Sequence, residues 1–223
     1  DPDNRMTLGE GASMDRLSLG ATAELRADLK ARGAAAWIEA QLAPGAEPAA
    51  LAAQLAAIEA VRLDPGTLVE PLRAMRGAQR SVQVRQQIQQ RRRELWLQAT
   101  HARLQRAVAS PWQLRELLVD FWFNHFNVFA GKGLCALWLG AFEEQAIRPH
   151  VLGSFEQLLA ATAHHPAMLV YLDNYLNSTP GARNGGLNEN YARELIELHT
   201  VGLGYTQTDV TAAAHLLTGW GID

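Results

Sequence analysis

The chain has 223 residues and a mass of 24.4 kDa, which suffices for one sizeable domain or two small ones. Hydrophobic residues make up 48% and charged residues 19%, which excludes a disordered chain, and the net charge of -3 gives no general attraction to nucleic acid or anionic membranes. The single cysteine, Cys135, excludes an intrachain disulfide and a multi-cysteine zinc site, and no apolar run reaches the roughly 18 residues of a membrane span.

The first part of the chain, residues 1–66, predicts small alanine-rich helices. Residues 22–32 have apolar residues at helical spacing and stop before Gly33, which tolerates the backbone conformation of a helix end. Residues 34–42 predict a second helix, and residues 47–62 a third. No catalytic or ligand-binding motif occurs in this part of the sequence.

Residues 81–109 predict one long helix that is rich in arginine and glutamine, with Glu94 as its only acid. One interpretation is a face that binds anions or nucleic acid. The other is a solvated face whose long side chains cover apolar surface. We favour the second, because the aromatic and glycine residues of a nucleic-acid module do not accompany the arginines. No nucleic-acid partner is therefore expected.

The next helix is predicted to start at Ser110 and Pro111, a capping hydroxyl followed by a proline in the first turn. It places His125 in the middle of an aromatic and aliphatic face that includes Phe121. Such a histidine is either a core residue with one hydrogen bond or a buried base or ligand. After a break at residues 131–140, residues 142–150 predict a short polar helix, and Ser154 is the expected N-cap of another.

The stretch with the most potential ligands is residues 187–204, LNENYARELIELHTVGLG, which predicts one well-capped helix. Asn188 or Asn190 is the expected N-cap, and Gly202 the expected stop. At about 100° per residue, Asn190, Glu194 and Glu197 share one face. The opposite face of a regular helix holds Tyr191, Ala192, Leu195, Leu198 and His199.

The loop that precedes this helix, residues 178–186, is the segment that we expect to be most flexible. It follows Asp173 and Asn174 and leads into Asn188 and Glu189, so these four residues are expected to meet around it. Thr206 and Asp209 then have the spacing of a capping box for the last helix.

No stretch alternates with the period of a strand, and the predicted fold class is therefore all-α. We expect an irregular bundle of seven to nine helices with little or no sheet. Residues 1–223 are interpreted as one helical domain, in which residues 1–66 form the small alanine-rich helices. Residues 110–223 form the helical core that carries the motifs.

Six segments resemble a large bacterial family: FWFNHFNV, IRPHVLGSFEQLL, HPAMLVYLDN, NENYARELIELHTVG, YTQTDV and LTGW. The chain is identified as a member of the domain of unknown function 1800 family, and the resemblance runs in order from Met6 to Trp220. It implies an α-helical fold and a chain that is the N-terminal part of a longer protein. It also implies a protein partner encoded nearby and export to the periplasm or the medium, with the cytoplasm as the alternative. It implies no activity and no catalytic residues.

Two functions fit the polar residues directly. The first is a binding or accessory module whose Asn/Glu face binds a partner or ligand. The second is an enzyme, such as a hydrolase, with Glu194 or Glu197 as its base and Asn188, Asn190 and Asp173 as orienting groups.

A third function is a metal site, for which carboxylates of Asp173, Glu194 and Glu197 would join His125 from another helix. Oxygen ligands suit a divalent calcium, magnesium or manganese ion, and no other cofactor is predicted. The alternative to all three functions is structural: the asparagines cap helices, the glutamates form ion pairs, and His199 packs in the core. The candidate ligand-binding residues are His125, Asp173, Asn174, Asn188, Asn190, Glu194, Glu197 and His199.

Overall fold

The computed structural model describes residues 8–20, 22–69, 82–179 and 186–222. In this part of the chain the fold is all-α, as predicted, with an isolated β-bridge between Asn177 and Gly186 and no strand. It contains twelve α-helices, more than the seven to nine predicted, because several short helices interrupt the connections. The middle of the loop expected to be flexible, residues 180–185, lies outside the described residues.

Five helices form the N-terminal region: α1 (Leu8–Leu17), α2 (Ala23–Arg32), α3 (Ala34–Leu42), α4 (Ala49–Ala56) and α5 (Glu59–Arg62). Thr22 caps α2 by accepting a hydrogen bond from the N–H of Leu25, and Gly33 ends it at a φ of 78°. The single helix predicted for residues 47–62 is wrong. Ile58 is extended and buried between α4 and α5, so its side chain reaches the core at the cost of a helix break.

Two hydrophobic cores hold the described helices together. The smaller one lies among α1, α2 and α3 and consists of Met14, Leu25, Leu29 and Trp37. The larger one extends through the rest of the described residues, from Leu51 to Leu217. Helices α1, α2 and α3 thus have a small core of their own, whereas α4 and α5 contribute Leu51, Leu55 and Ala60 to the larger one.

Helix α6 (Val82–Ala109) confirms the long helix, and Ile88, Leu95 and Ala102 form its buried stripe. Helix α7 (Gln113–His125) begins later than predicted. The N-cap is Trp112 rather than Ser110, whose hydroxyl accepts the N–H of Trp112 at 3.2 Å and donates to Glu47 at 2.9 Å. Phe121, expected on the core face of α7, is exposed.

The helices that follow are α8 (Leu139–Phe142), α9 (Phe155–His164), α10 (Pro166–Tyr171), α11 (Asn190–Glu194) and α12 (Gln207–Leu216). Two of them continue into π turns, α8 as Glu143–Ile147 and α11 as Leu195–Thr200. Short 3₁₀ turns occur at Pro65–Leu68, Cys135–Leu137, Arg148–His150 and Asn174–Leu176. The Ser154 cap and the capping box of Thr206 and Asp209 are both confirmed.

The segment around α8 lies in the centre of the larger core. The helix predicted for residues 142–150 is present as consecutive α, π and 3₁₀ turns, but it is largely buried rather than polar, since Trp138, Phe142 and Ile147 are fully buried. Gly140 allows this close packing, since a Cβ there would lie 2.6 Å from the carbonyl oxygen of Ala60 in α5. Within the described residues, none of the helices has the length and hydropathy needed to cross a membrane.

Candidate functional site

The asparagine cluster, which consists of Asn174, Asn177, Asn188 and Asn190, lies where the expected loop meets α11 and α12. The Asn174 side chain is fully buried at 0% exposure. Its Nδ2 donates to the carbonyl oxygens of Leu217 at 3.1 Å and Trp220 at 3.0 Å. These bonds fix the end of α12 against the 3₁₀ turn, because carbonyl groups at a helix end lack partners within the helix.

Asn177 is central to this cluster, although it is not among the candidate residues predicted from the sequence. Its Nδ2 donates to the carbonyl oxygen of Ala214 at 2.8 Å and to Asn174 Oδ1 at 3.3 Å. Its Oδ1 accepts the N–H of Asn188 at 2.8 Å. A second asparagine three residues after Asn174 was the only signal in the sequence.

The side chains of Asn188 and Asn190 hydrogen-bond to the backbone just before the 3₁₀ turn at Asn174–Leu176. Asn188 Nδ2 donates to the carbonyl oxygen of Asp173 at 2.9 Å, while its Oδ1 accepts the N–H of Asn190 at 3.0 Å. Asn190 Nδ2 donates to the carbonyl oxygen of Leu172 at 3.0 Å. Asp173, Asn174 and Asn188 thus meet as expected, with side chains that mainly bind the backbone. Glu189 is the formal N-cap of α11, and its carboxylate accepts instead from Gln207 and Thr211 of α12.

Asp173 has a left-handed backbone, with φ at 59° and ψ at 20°, a conformation that is uncommon for residues other than glycine. Its carboxylate accepts a hydrogen bond from Lys132 Nζ at 2.8 Å. Lys132 also donates to the carbonyl oxygen of Tyr171. Lys132 therefore holds both the carboxylate and the backbone of this turn, which leaves Asp173 paired rather than free to act as a base.

The π turn at Leu195–Thr200 changes which side chains of the helix predicted for residues 187–204 face the core. Leu198, predicted on the same helix face as Tyr191, is 60% exposed whereas Tyr191 is fully buried, because a π turn has i→i+5 hydrogen bonds and rotates later residues away from their α-helical positions. Glu194 is half-buried. Glu197 is exposed and accepts a hydrogen bond from the hydroxyl of Tyr205, which raises the pKa of that hydroxyl. Gly202 has a φ of 80° just beyond the turn, as expected for a helix stop.

His125 and His199 lie next to each other between α7 and the π turn. His125 Nε2 donates to the carbonyl oxygen of His199 at 3.2 Å, and the ring centroids are 6.3 Å apart. His199 is buried, and burial, with a smaller contribution from His125, lowers its pKa to about 4. The structural interpretation of both histidines therefore agrees with their packing.

The predicted metal ligands are not gathered into one group within the described residues. The described ranges contain no group of three His, Cys, Asp or Glu side chains that could hold a metal ion. Asp173 is paired with Lys132, Glu197 with Tyr205, and His125 with a backbone carbonyl.

A buried ionic cluster, which was not predicted from the sequence, connects α6, α7 and the π turn that follows α8. Arg148 donates to Glu116 at 2.8 Å and to Glu143 at 2.7 Å, and Arg106 donates to Glu144 at 2.9 Å. Burial raises the pKa of Glu144, and the two arginines oppose this shift. The one signal in the sequence is that Arg106 shares the helical face of the buried α6 residues. With each carboxylate paired, this cluster acts as a cross-link between helices.

These contacts define an all-helical protein. Asparagines of the motif join the loop before α11 to α11 and α12, and the π turn at Leu195–Thr200 follows directly after α11. The chain belongs to the family described as "Protein of unknown function (DUF1800)", whose model matches residues 12–223. This match confirms the resemblance seen in the sequence. Neither a curated protein nor a solved structure matches the chain.

Proposed function

We propose that this chain is an exported binding module that captures a protein partner through the contact surface. The contact surface consists of Glu197, Leu198, Val201 and Leu203, in the π turn and the loop after it. The observation that carries the proposal is the exposure of its three aliphatic side chains, which is 60%, 64% and 89% along six residues of chain. Clustered apolar exposure of this kind is typical of partner-binding surfaces.

The charges around the contact surface indicate the chemistry of the partner. Glu197 is exposed, and Glu194 lies one turn before it, half-buried and without a hydrogen bond to the described residues. Carboxylates at the rim of an apolar patch favour a partner with lysine or arginine around its own apolar side chains. The proposed partner is therefore a protein with an apolar patch and a basic rim.

Hydrogen bonds and aromatic packing hold the backbone that carries the contact surface in place. The asparagine cluster fixes the start of α11, and Phe126 packs against His199 beneath the π turn, with ring centroids 5.3 Å apart. Such support limits the conformational entropy that binding would cost. We propose that the partner is the protein encoded by the neighbouring gene, since the family resemblance implies such pairing.

Titration calorimetry with the purified product of the neighbouring gene tests this proposal. Leu203→Ser and Leu198→Ser should each raise Kd about tenfold, because each removes apolar contact at the centre of the interface. Leu104→Ser is the matched control, since Leu104 has nearly the same exposure as Leu198, at 59%, but lies on α6. Equal affinity for all three variants and the native chain would contradict the proposal.

A further inference from the structure

Helix α6 carries exposed apolar side chains on the face opposite its buried residues. The residues of this face, which we call the α6 stripe, lie within about 80° of one another at about 100° per residue. The α6 stripe consists of Arg93, Leu97, Thr100, Leu104 and Val108. Leu97, Leu104 and Val108 are 48%, 59% and 73% exposed, so three aliphatic side chains on one helix face meet water.

The hydroxyl of Thr100, in the middle of the α6 stripe, is already satisfied within the helix. It donates to the carbonyl oxygen of Trp96 at 2.9 Å, one turn earlier. Trp96 is 43% exposed and adds apolar area at the edge of the stripe. A second helix can therefore cover the centre of the stripe without leaving this hydroxyl unpaired.

The two ends of the α6 stripe differ in charge. At one end, Arg93 is exposed and forms no hydrogen bond or ion pair with the described residues. At the other end, Val108 lines a cleft of about 440 Å³ together with Glu24 and Asp28 of α2. Arg32 pairs with Asp28 at 2.6 Å in this cleft, whereas Glu24 has no ion pair with the described residues. The carbonyl groups at the C-terminal end of α6 add a partial negative charge, so this end favours a cation.

We propose that the α6 stripe is a self-association surface, on which two copies of this chain pair through antiparallel α6 helices. A twofold axis near Thr100 relates the copies, since this residue lies midway between the two ends of the stripe. Leu97 of each copy packs beside Leu104 of the other, and Arg93 reaches the acidic cleft beside Val108. Parallel pairing would instead bring the two Arg93 side chains together, which repulsion between like charges disfavours.

The composition of the α6 stripe selects a second copy as its occupant, and its size sets the expected affinity. One surface supplies both the arginine and the carboxylate, so the surface is complementary to itself about a twofold axis. From Arg93 to Val108 the stripe is about 22 Å long, at 1.5 Å per residue. An interface of this length lies at the small end of specific protein–protein interfaces, and we expect a Kd on the order of 10 µM.

Sedimentation equilibrium on the isolated chain, from about 1 µM to about 200 µM, tests the pairing. The mass should rise with concentration from the 24.4 kDa of one chain toward twice that value. Leu97→Gln should raise Kd about tenfold, because it removes an apolar contact from both copies. Leu176→Gln is the matched control and should leave Kd unchanged, since Leu176 is also 48% exposed but lies in the 3₁₀ turn at Asn174–Leu176.

Charge reversal tests the antiparallel orientation. Arg93→Glu and Glu24→Lys should each raise Kd about fivefold, and the double variant should recover most of the affinity, because each carboxylate again faces a cation. A chain that is monomeric at every concentration, a dimer that Leu97→Gln leaves intact, or a double variant that binds no tighter than the single variants would overturn the proposal. Because these measurements use this chain alone, their outcome is separate from partner capture by the contact surface.

Discussion

The asparagine cluster and the contact surface lie in the same family motif, and their physical roles differ. Asparagine side chains in the cluster donate to the carbonyl oxygens of Ala214, Leu217 and Trp220, at and just beyond the C-terminal end of α12. In the contact surface, apolar side chains such as Leu203 face water. The polar residues of this motif therefore stabilise the backbone through hydrogen bonds, whereas the adjacent aliphatic residues are exposed and available to bind a partner.

The largest effect expected from breaking the cluster is in Asn174→Ala. It removes the donors to two carbonyl oxygens and the acceptor for Asn177 in a fully buried site, so the free energy of unfolding should fall by about 3 kcal/mol. Urea denaturation measures this change. The control Asn124→Ala replaces an exposed asparagine of α7 and should stay within about 0.5 kcal/mol of the native chain. A similar small change for Asn174→Ala would show that the cluster is not structural.

A smaller loss of stability is expected when acid protonates His165, whose side chain caps the start of α10. Its Nδ1 accepts the N–H of Ala167 at 3.1 Å, and burial lowers its pKa from the ordinary 6.5 to about 4. The folded state therefore disfavours the proton that the unfolded state binds, so this stability is present above pH 6.5 and is lost as the pH falls toward 4. The loss should be about 2 kcal/mol between about pH 7 and about pH 4.5.

Denaturation of the native chain and of His165→Gln across this pH range checks the prediction. The variant should show a shallower decline, because its side chain takes up no proton. His215→Gln is the control, since His215 is exposed on α12. Identical pH profiles for the native chain and His165→Gln would contradict the role of this histidine.

Asn188→Ala should have a smaller effect than Asn174→Ala, because Asn188 is only partly buried. It removes the bond to the carbonyl oxygen of Asp173 and the acceptor for the N–H of Asn190, and should cost about 1 kcal/mol. The melting temperature, read by circular dichroism, measures it. Asn188→Asp keeps the acceptor and should recover part of the loss. No difference between the two variants would indicate that the cap contributes nothing.

The smallest stability effect is expected in the contact surface. Leu203→Ser removes a side chain that is 89% exposed, so the free energy of unfolding should change by less than about 0.5 kcal/mol. Urea denaturation beside Asn174→Ala gives the direct contrast between the two regions. A loss as large as that of Asn174→Ala would show that Leu203 belongs to the fold and would remove it from the contact surface.

Local rules in the sequence predicted the elements whose causes are local. The Thr206–Asp209 capping box, the Ser154 cap and the glycine stops at Gly33 and Gly202 all depend on a few neighbouring residues, and all are confirmed. The long helix α6 was also predictable, because its apolar stripe keeps one period along its length.

The remaining features depend on contacts between distant residues. The π turn after α11 satisfies the same apolar pattern as an α-helix until Leu198, so only packing against α7 reveals it. The ion pairs of Arg148 and Arg106 join three helices, and nothing in the local sequence assigns the partners. For the same reason, Asn177 could be identified only once α12 lay beside its turn.

The most direct test of the central claim is the affinity of two variants for the purified product of the neighbouring gene, measured by calorimetry at neutral pH and at a temperature where both are folded. The account predicts that Leu203→Ser raises Kd about tenfold, whereas Asn188→Ala changes it less than about threefold. The opposite order, with binding lost in Asn188→Ala and kept in Leu203→Ser, would place the site in the asparagine cluster and contradict the account.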